Sequence, residues 1–302
     1  MRIEQLRLIL ALSSAGSLRA AAEVMHVTAP ALTKALQQLE EEFGAVLVAR
    51  SPRGARLTPA GELVAARAAI VLREIDRARE EVSWHTQHGE AALTLACSPA
   101  AAVQVLPGAL ARLRARWPQI RVRVLEAVYP RSITMLRTGE VDLMVGPLPA
   151  DGFGRDLCRQ SLFEATQVVI ARASHPWTAA RSLADIQDAD WINTGPPGGP
   201  GDPVRLNFRE LGLRTPKLML SCESFSTLVA LLPQVDALAL VPESFYRSYA
   251  RHHGLVSLNL DHPGLVLTVF ATWRADAPLT TPAAFLLDAL GLESGDGPIK
   301  TG

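Results

Sequence analysis

Apolar residues near the start of the chain recur at helical spacing, in three short runs separated by turn residues. This periodicity predicts three helices. The first run ends at Gly16, a residue suited to a left-handed helix cap. The apolar faces of the three helices are, in chain order, Leu6, Ile9 and Leu10, then Leu18, Ala21, Ala22 and Met25, then Leu32, Leu36 and Leu39.

A proline interrupts this otherwise helix-forming region, and the residues around it predict a turn. Ser17 can cap the second helix and Thr28 can cap the third. Pro30 then falls in the first turn of the third helix, where a missing N–H costs nothing. The pattern therefore predicts a helix-turn-helix arrangement over about residues 18–37.

The third helix and the segment after it present a polar and basic surface. Thr, Gln and Lys side chains suit base edges and phosphates in a major groove, and Ala can touch a thymine methyl. The segment VLVARSPRGARLTP predicts two short strands around a turn, with arginines suited to phosphates or the minor groove. Residues 1–58 are therefore predicted to form a mostly α-helical, winged helix-turn-helix DNA-binding domain. Its predicted DNA contacts are Thr28, Ala29, Pro30, Thr33, Lys34, Gln37, Arg50, Arg53 and Arg56.

A long linker helix is predicted over residues 59–88. Its apolar residues recur every three or four positions, as in a heptad seam, with charged residues around them. The stripe could pack on the chain's own domain, but its pattern favours a homodimer. A dimer would present two recognition helices to the two halves of an inverted repeat. The predicted seam consists of Val64, Ala68, Val71, Ile75, Ala78 and Val82.

From residue 91 onward, strand and helix patterns alternate, which predicts an α/β domain with parallel βαβ units. We expect two lobes, one of about residues 91–161 plus 266–291 and the other of about 162–265. Such sheets bind ligands in a cleft at the C-terminal ends of their strands. The residues expected to contact a small ligand there are Ser98, Pro99, Tyr129, Gly146, Pro147, Thr194, Gly201, Ser224 and Phe225.

The predicted cleft favours a small organic anion. Backbone N–H groups at the helix starts after Ser98 and Ser224 favour negative charge. The rings of Tyr129 and Phe225 would suit an aromatic carboxylate or sulfonate.

Catalytic interpretations find little support in the sequence. The segment GPPGGPG lacks the Gly-Lys-Ser/Thr of a phosphate-binding loop. Ser98 does not lie in a Gly-x-Ser-x-Gly elbow, although a hydrolase acting through it stays a minor alternative. His252 and His253 have no Glu or Cys at metal-ligand spacing. We therefore expect neither an enzyme nor a metal or cofactor site.

Composition narrows the class of protein further. The chain has 302 residues, of which 48% are hydrophobic, enough for about two domains with sizeable cores. Its 30 basic and 30 acidic residues give a net charge of zero, so a basic surface has to be local. Three scattered cysteines fit a reducing cytoplasm, and no apolar run is long enough to span a membrane.

The motifs of the first 65 residues resemble the N-terminal signature of LysR-type transcriptional regulators. They are GSLRAAA from Gly16, HVTAPALT from His26, Leu39-Glu40, and LTPAG from Leu57. The resemblance implies a C-terminal effector domain like type 2 periplasmic binding proteins, a homotetramer on DNA and contact with the transcription machinery. Two positions depart from the family, which usually has an aromatic residue at Leu18 and a glutamine at Ala29.

The alternative is a periplasmic solute-binding protein of a transporter, with residues 1–20 as a cleaved signal. Arg2 and the apolar run from Leu8 to Leu12 are compatible with such a signal. The run is shorter than the usual 7–15 residues, and Glu4 and Arg7 crowd it. This alternative also leaves the helix-turn-helix, the basic hairpin and the seam unexplained, so the sequence favours a cytoplasmic regulator.

Overall fold

The computed structural model describes residues 1–51, 54–85, 92–149, 154–195, 202–261 and 265–293. The chain divides into two compact units. The N-terminal unit consists of Met1–Glu90 with Arg137–Glu140, and the C-terminal unit of Ala91–Leu136 and Val141–Gly302.

Within the described residues, the N-terminal unit contains helices and one antiparallel hairpin. The helices are α1 (Ile3–Ala15), α2 (Leu18–Val24), α3 (Ala29–Phe43) and α4 (Pro59–His85), and the paired strands are β1 (Val48–Ser51) and β2 (Gly54–Leu57). This order confirms the predicted winged helix-turn-helix followed by a long helix. The last predicted positions of the linker helix, 86–88, lie outside the described residues.

Local capping sets where the first three helices begin and end. Gly16 adopts a left-handed φ of 66° and ends α1. Ser17 and Thr28 each accept a hydrogen bond from the backbone N–H three residues later, at 3.1 and 3.4 Å, and begin α2 and α3. Pro30 lies in the first turn of α3. The proline therefore helps to begin a helix, and the interruption in the sequence is the turn between two helices.

A single apolar core holds the N-terminal unit together. Leu32, Leu36 and Leu39 of α3 are each at most 1% exposed, and they share the core with Ala21 and Ala22 of α2. The two alanines let α3 approach α2 closely. Truncating one of these leucines to Ala typically costs about 2–5 kcal/mol of stability. The buried face of α3 thereby leaves its opposite face for another molecule.

The C-terminal unit alternates strands with helices, and two long strands lie in its middle. Its strands are β3 (Ala92–Cys97), β4 (Arg121–Glu126), β5 (Leu143–Pro147), β6 (Leu157–Arg172), β7 (Asp190–Asn193), β8 (Lys217–Ser221), β9 (Leu238–Pro242), β10 (Leu255–Ser257) and β11 (Val266–Arg274). Its α-helices are α5 (Pro99–Gln104), α6 (Leu106–Arg116), α7 (Arg131–Arg137), α8 (Pro203–Glu210), α9 (Phe225–Leu231), α10 (Glu243–Ser248) and α11 (Thr281–Glu293). Short 3-10 helices occupy Pro176–Ala179, Ala184–Ile186, Leu232–Gln234 and Ala250–His253.

The strands form one continuous path in the order β4-β3-β5-β11-β6-β9-β7-β8, and β10 also pairs with β6. β3 is parallel to β4 and β5, and β7 is parallel to β8 and β9. The pairs that involve β6 or β11 are antiparallel. Two parallel groups of strands thus flank a shared antiparallel centre, as a two-lobed α/β unit requires.

β6 runs through the expected boundary between the lobes. Its first part, Leu157–Thr166, pairs with β11, and its second part, Gln167–Ile170, pairs with β9. We call the side with β3, β4 and β5 the first lobe and the side with β7, β8 and β9 the second lobe. None of the described helices is both long and apolar enough to cross a membrane.

Candidate nucleic-acid interface and ligand cleft

The start of α3 presents the polar row that the sequence predicted. Thr28, Ala29, Pro30, Lys34 and Gln37 are exposed, and Thr33 is half-buried. The buried leucines of α3 lie on its other side. The row is therefore available to enter a groove of DNA.

Glu40 and Glu42, at the acidic end of α3, form contacts within the N-terminal unit. Glu40 Oε1 accepts hydrogen bonds from the N–H groups of Leu47 and Val48, at 2.8 and 3.2 Å, and so positions the start of the hairpin. Glu42 pairs with the amino group of Met1 at 2.6 Å. Both acids lie more than two helical turns from Thr28, at about 1.5 Å of rise per residue. Their charges therefore oppose a phosphate at the start of α3 only weakly.

The hairpin rests on the turn that ends α1. The N–H of Ala55 donates to the carbonyl of Gly16 at 2.9 Å. A Cβ on Gly54 would come within 2.5 Å of that same carbonyl oxygen, and Gly54 has a φ of 128°. This close backbone approach needs glycine, and it fixes the hairpin relative to the turn before α2. This role of Gly54 could not be predicted from the sequence, because it depends on contact with a distant turn.

The predicted arginines of the hairpin are described to different extents. Arg56 is exposed on β2. The backbone of Arg50 pairs with Ala55, but its side chain lies outside what the structure describes, as does Arg53 as a whole. Phosphate contacts by these arginines stay predictions.

The apolar stripe of α4 divides into two parts. Ala68 is 1% exposed and belongs to the core of the N-terminal unit, and half-buried Val64 packs on that core. Ala68 is therefore not available to a partner, which corrects its place in the predicted seam. Further along, Val71 is 41% and Val82 63% exposed, Ala78 is exposed and Ile75 is half-buried. Only this second part can serve as a seam between copies.

In the first lobe, the strand ends bring Ser98 against Gly146. The Ser98 N–H donates to the carbonyl of Val145 at 2.8 Å, and its hydroxyl accepts from the N–H of Ala101 at 3.4 Å. A Cβ on Gly146 would lie 3.2 Å from the Cβ of Ser98. The Ser98 hydroxyl thus caps α5 and, among the described residues, has no histidine as a general base.

The remaining predicted contacts of the first lobe differ in access. Pro99 is buried, whereas Tyr129 and Pro147 are half-buried. Of these three predicted contacts, only Tyr129 and Pro147 have side chains with appreciable accessible surface.

In the second lobe, the end of β7 carries buried polar groups. Thr194 is 7% exposed and Asn193 is fully buried. Asn193 Nδ2 and Ser221 Oγ both donate to the carbonyl of Gly195, at 2.9 and 2.6 Å. Asn193 Oδ1 is buried without a hydrogen-bond partner, so a donor brought by a ligand would satisfy it. The predicted contact Gly201 lies outside the described residues.

The start of α9 corrects one expectation. The half-buried Ser224 caps the helix through the N–H of Thr227 at 3.3 Å. The ring of Phe225, however, is 5% exposed and packs edge-on against Phe245 with a centroid distance of 5.1 Å. It belongs to the second-lobe core and cannot stack on an aromatic effector, so that prediction was wrong.

One polar residue at the strand ends, Glu126, was not among the predicted effector contacts. Glu126 Oε1 accepts a hydrogen bond from the Phe225 N–H at 3.4 Å. Its position at the end of β4 was visible in the sequence, but its partner is in the other lobe.

The cysteines show no sign of an activated nucleophile or metal site. Cys97, Cys158 and Cys222 are free thiols. Burial, with a contribution from the charge of Glu126, raises the pKa of Cys97 to about 11, so this thiol stays protonated near neutral pH. Within the described part of the chain, no three His, Cys, Asp or Glu side chains cluster as metal ligands would.

Comparisons with known proteins match both units. A family model described as a bacterial regulatory helix-turn-helix protein, lysR family, matches residues 3–62, and a LysR substrate binding domain matches residues 86–293. The HTH-type transcriptional regulator TdcA of Escherichia coli (strain K12) is 22% identical over 273 residues, covering 90% of this chain and 87% of TdcA. The DNA-binding transcriptional dual regulator OxyR of the same strain is 25% identical, covering 96% of this chain and 95% of OxyR.

Solved structures agree with this fold. CbnR, a LysR family transcriptional regulator, superposes with a TM-score of 0.73 at 19% identity, covering 98% of this chain and 100% of CbnR. A full-length OxyR variant from Pseudomonas aeruginosa gives a TM-score of 0.63 at 26% identity, covering 97% of this chain and 95% of that one. CbnR has also been solved in complex with its target DNA, and that chain matches with a TM-score of 0.70 at 19% identity, covering 97% of this chain and 100% of that one.

Proposed function

Because the chain belongs to the LysR family of bacterial transcriptional regulators, we propose that it binds an inverted-repeat operator and responds to a small organic acid. The exposed polar row at the start of α3 is the observation that carries the DNA-binding role. It lies opposite the buried leucines, so it can face DNA without loss of core packing.

The surface that meets the DNA bases consists mainly of three side chains in this proposal, and one of them, Lys34, can reach a phosphate as well as a guanine. Thr33, Lys34 and Gln37 lie along the first turns of α3, where recognition helices contact base edges. Ala29 is limited to contact with a thymine methyl. The arginines Arg50, Arg53 and Arg56 serve as phosphate contacts.

The chain forms dimers, and two dimers associate into the tetramer that binds the operator. The exposed second part of the α4 stripe supports a seam between two copies. A pair of α3 helices could then bind the two half-sites of the operator. Contact with the transcription machinery follows from the role of such a regulator.

The effector binds at the C-terminal ends of the parallel strands in the C-terminal unit. The unpartnered Oδ1 of Asn193 supports a ligand that carries an O–H or N–H group in addition to its acid group. A hydroxy acid or an amino acid has both. Tyr129, half-buried at the first-lobe strand ends, is the remaining aromatic residue that such a ligand could meet.

The comparisons give no support to a periplasmic solute-binding protein. The helix-turn-helix match covers residues 3–62, and α1 contributes Leu8, Ile9 and Leu12 to a core. The named relatives are regulators of transcription. We therefore propose a cytoplasmic regulator without catalytic activity.

Selection from a pool of random duplex DNA by the full-length chain tests the DNA-binding role. We expect enrichment of an inverted repeat, and we expect a Lys34→Ala, Gln37→Ala double variant to lose that enrichment. If the two proteins enrich the same sequences equally, α3 is not the recognition helix. A thermal-shift screen of the full-length chain with hydroxy acids and amino acids tests the effector class.

A further inference from the structure

The carboxylate of Glu126 reaches from the first lobe of the C-terminal unit to the second. Glu126 is the last residue of β4, where the strand register sets it beside Cys97 of β3. Its Oε1 accepts the 3.4 Å hydrogen bond from the N–H of Phe225, the first residue of α9. The two residues are 99 positions apart, so this bond joins segments that the chain connects only through a long path.

The N–H of Phe225 needs a partner from outside its own helix. The first N–H groups of a helix have no carbonyl acceptor in a preceding turn. The capping hydroxyl of Ser224 accepts from Thr227. A negative charge near a helix start is also favourable. Glu126 therefore supplies from the first lobe an acceptor that the second lobe lacks.

An apolar contact lies in the same region between the lobes. Val103 of α5, in the first lobe, is partly buried against the second-lobe core that contains Phe225 and Phe245. The side chain of Glu126 is thus one polar part of a larger contact between the lobes. Both parts are made by the chain's own residues.

The charges at the strand ends determine how the Glu126 carboxylate would affect the binding of an anion. The described residues directly after the parallel strands include no Lys or Arg, and the next basic residue after β4 is the exposed Arg131 at the start of α7; the positions without one are 97–100, 126–129, 145–149, 193–195, 221–226 and 242–244. Among these same positions the acids are Glu126, Glu223 and Glu243, and Glu243 pairs with Arg247 at 2.6 Å. An anion that enters the cleft therefore meets like charge with no basic side chain at these positions to offset it.

We propose that Glu126 is a latch that holds the two lobes together until an acidic effector displaces it. The proposal rests on the proposed function, in which the effector is an organic acid bound between the lobes. Such an acid binds well only in the arrangement where Glu126 has withdrawn from Phe225. Effector binding therefore shifts the population from the latched to the unlatched arrangement.

Hydrogen exchange of the full-length chain, without effector or DNA, tests the latch directly. Loss of this 3.4 Å hydrogen bond to an exposed glutamate should speed exchange of the Phe225 amide by about two- to tenfold in Glu126→Ala. Glu126→Gln retains an oxygen acceptor but not the charge, so a smaller increase is expected. Glu223→Ala is the matched control, because it removes an exposed acid two residues before Phe225 and should leave this amide unchanged.

Equal exchange of the Phe225 amide in wild type, Glu126→Gln and Glu126→Ala would overturn the latch. An equal acceleration in Glu223→Ala would also overturn it, since the effect would then not belong to Glu126. Amide exchange in α6 checks that each variant is folded. If Glu126→Ala is unfolded, the comparison of wild type with Glu126→Gln tests the latch. Failure of the latch would leave operator selection by the chain unaffected, so the two proposals fail separately.

Discussion

At the scale of single residues, the roles of several residues depend on contacts with distant segments of the chain. Gly54 is required by a carbonyl in another turn, Phe225 is taken into a core, and Asn193 retains an unsatisfied oxygen. Thr28 and Ser17, in contrast, act on amides three residues away. Only the second kind of role can be inferred from neighbouring letters of the sequence.

Lys34→Ala should weaken operator binding and lower the dependence of binding on salt. Loss of one phosphate contact reduces the slope of log affinity against log salt by about 1. Fluorescence anisotropy at several salt concentrations measures this slope. Arg114→Ala, an exposed arginine of the C-terminal unit, is the control and should leave the slope unchanged. An unchanged slope in Lys34→Ala would mean that Lys34 does not contact a phosphate.

Gly54→Ala should destabilise the N-terminal unit more than Gly44→Ala. Both glycines have positive φ, but a Cβ on Gly44 would meet nothing within 4 Å, whereas one on Gly54 would meet the Gly16 carbonyl. Left-handed backbone alone costs an Ala about 1–2 kcal/mol. Chemical denaturation should therefore show about that loss for Gly44→Ala and a larger one for Gly54→Ala. Equal losses would contradict the close approach of the hairpin to the turn.

The stability of the C-terminal unit should fall as the pH drops below about 6.5. Burial lowers the pKa of His175, and Arg172 adds to this, while Asp236 opposes it. The Nδ1 of His175 accepts a hydrogen bond from the N–H of Trp177 at 3.2 Å, which requires that nitrogen to be unprotonated. The pKa of His175 is lower in the folded protein than in the unfolded chain. The stability that neutral His175 contributes is therefore present above the unfolded-state pKa, and it is lost as the pH falls through the folded-state pKa.

Urea denaturation at pH 7.5 and 5.5 measures this effect. The difference between the two pH values should shrink in His175→Gln, which cannot take up the proton. His26→Gln, at an exposed position of the N-terminal unit, should keep the full difference. The same pH dependence in wild type and His175→Gln would assign the effect to other groups.

At the scale of elements, α4 shows how one helix serves two purposes. Val64 and Ala68 pack on the core of their own unit, while Val71, Ala78 and Val82 remain exposed. A regular spacing of apolar residues specifies a face of the helix, but not what covers it. The sequence therefore predicted the helix and its stripe, and tertiary packing divided the stripe.

Ile75→Asp should break the dimer that we propose for α4. A charge in an apolar seam loses its solvation and has no partner there. Sedimentation velocity should show a shift from dimer or tetramer to smaller species. Arg73→Asp, two positions away on the exposed side of the helix, is the matched control and should retain the wild-type assembly. An intact assembly in Ile75→Asp would rule out this seam.

At the scale of the whole molecule, the two compact units allow recognition of DNA and recognition of an effector to be separated. Each unit has its own apolar core, so a substitution inside one need not unfold the other. The family match in each unit agrees with such a division of roles. Substitutions can therefore alter the DNA-binding surface or the effector site without altering the other.

Asn193→Ala should abolish the thermal shift produced by an acid from the effector screen, and leave operator affinity without effector within about twofold. Lys34→Ala should do the reverse, with a normal thermal shift and weaker operator binding. The physical reason is that Asn193 Oδ1 is proposed to contact the ligand, whereas Lys34 lies on α3. A thermal shift that survives in Asn193→Ala would remove Asn193 from the effector site.

Sequence by itself determined the order of the elements, the turn before α3, the exposed polar row and the two-lobed α/β class. These follow from helix caps, periodicity and turn residues, which act over a few positions of the chain. Tertiary structure decided that Ala68 and Phe225 are core residues, that Gly54 lies against Gly16, and that Glu126 meets Phe225. Those outcomes depend on which distant segments meet, because burial and hydrogen bonding between them have no counterpart in local spacing.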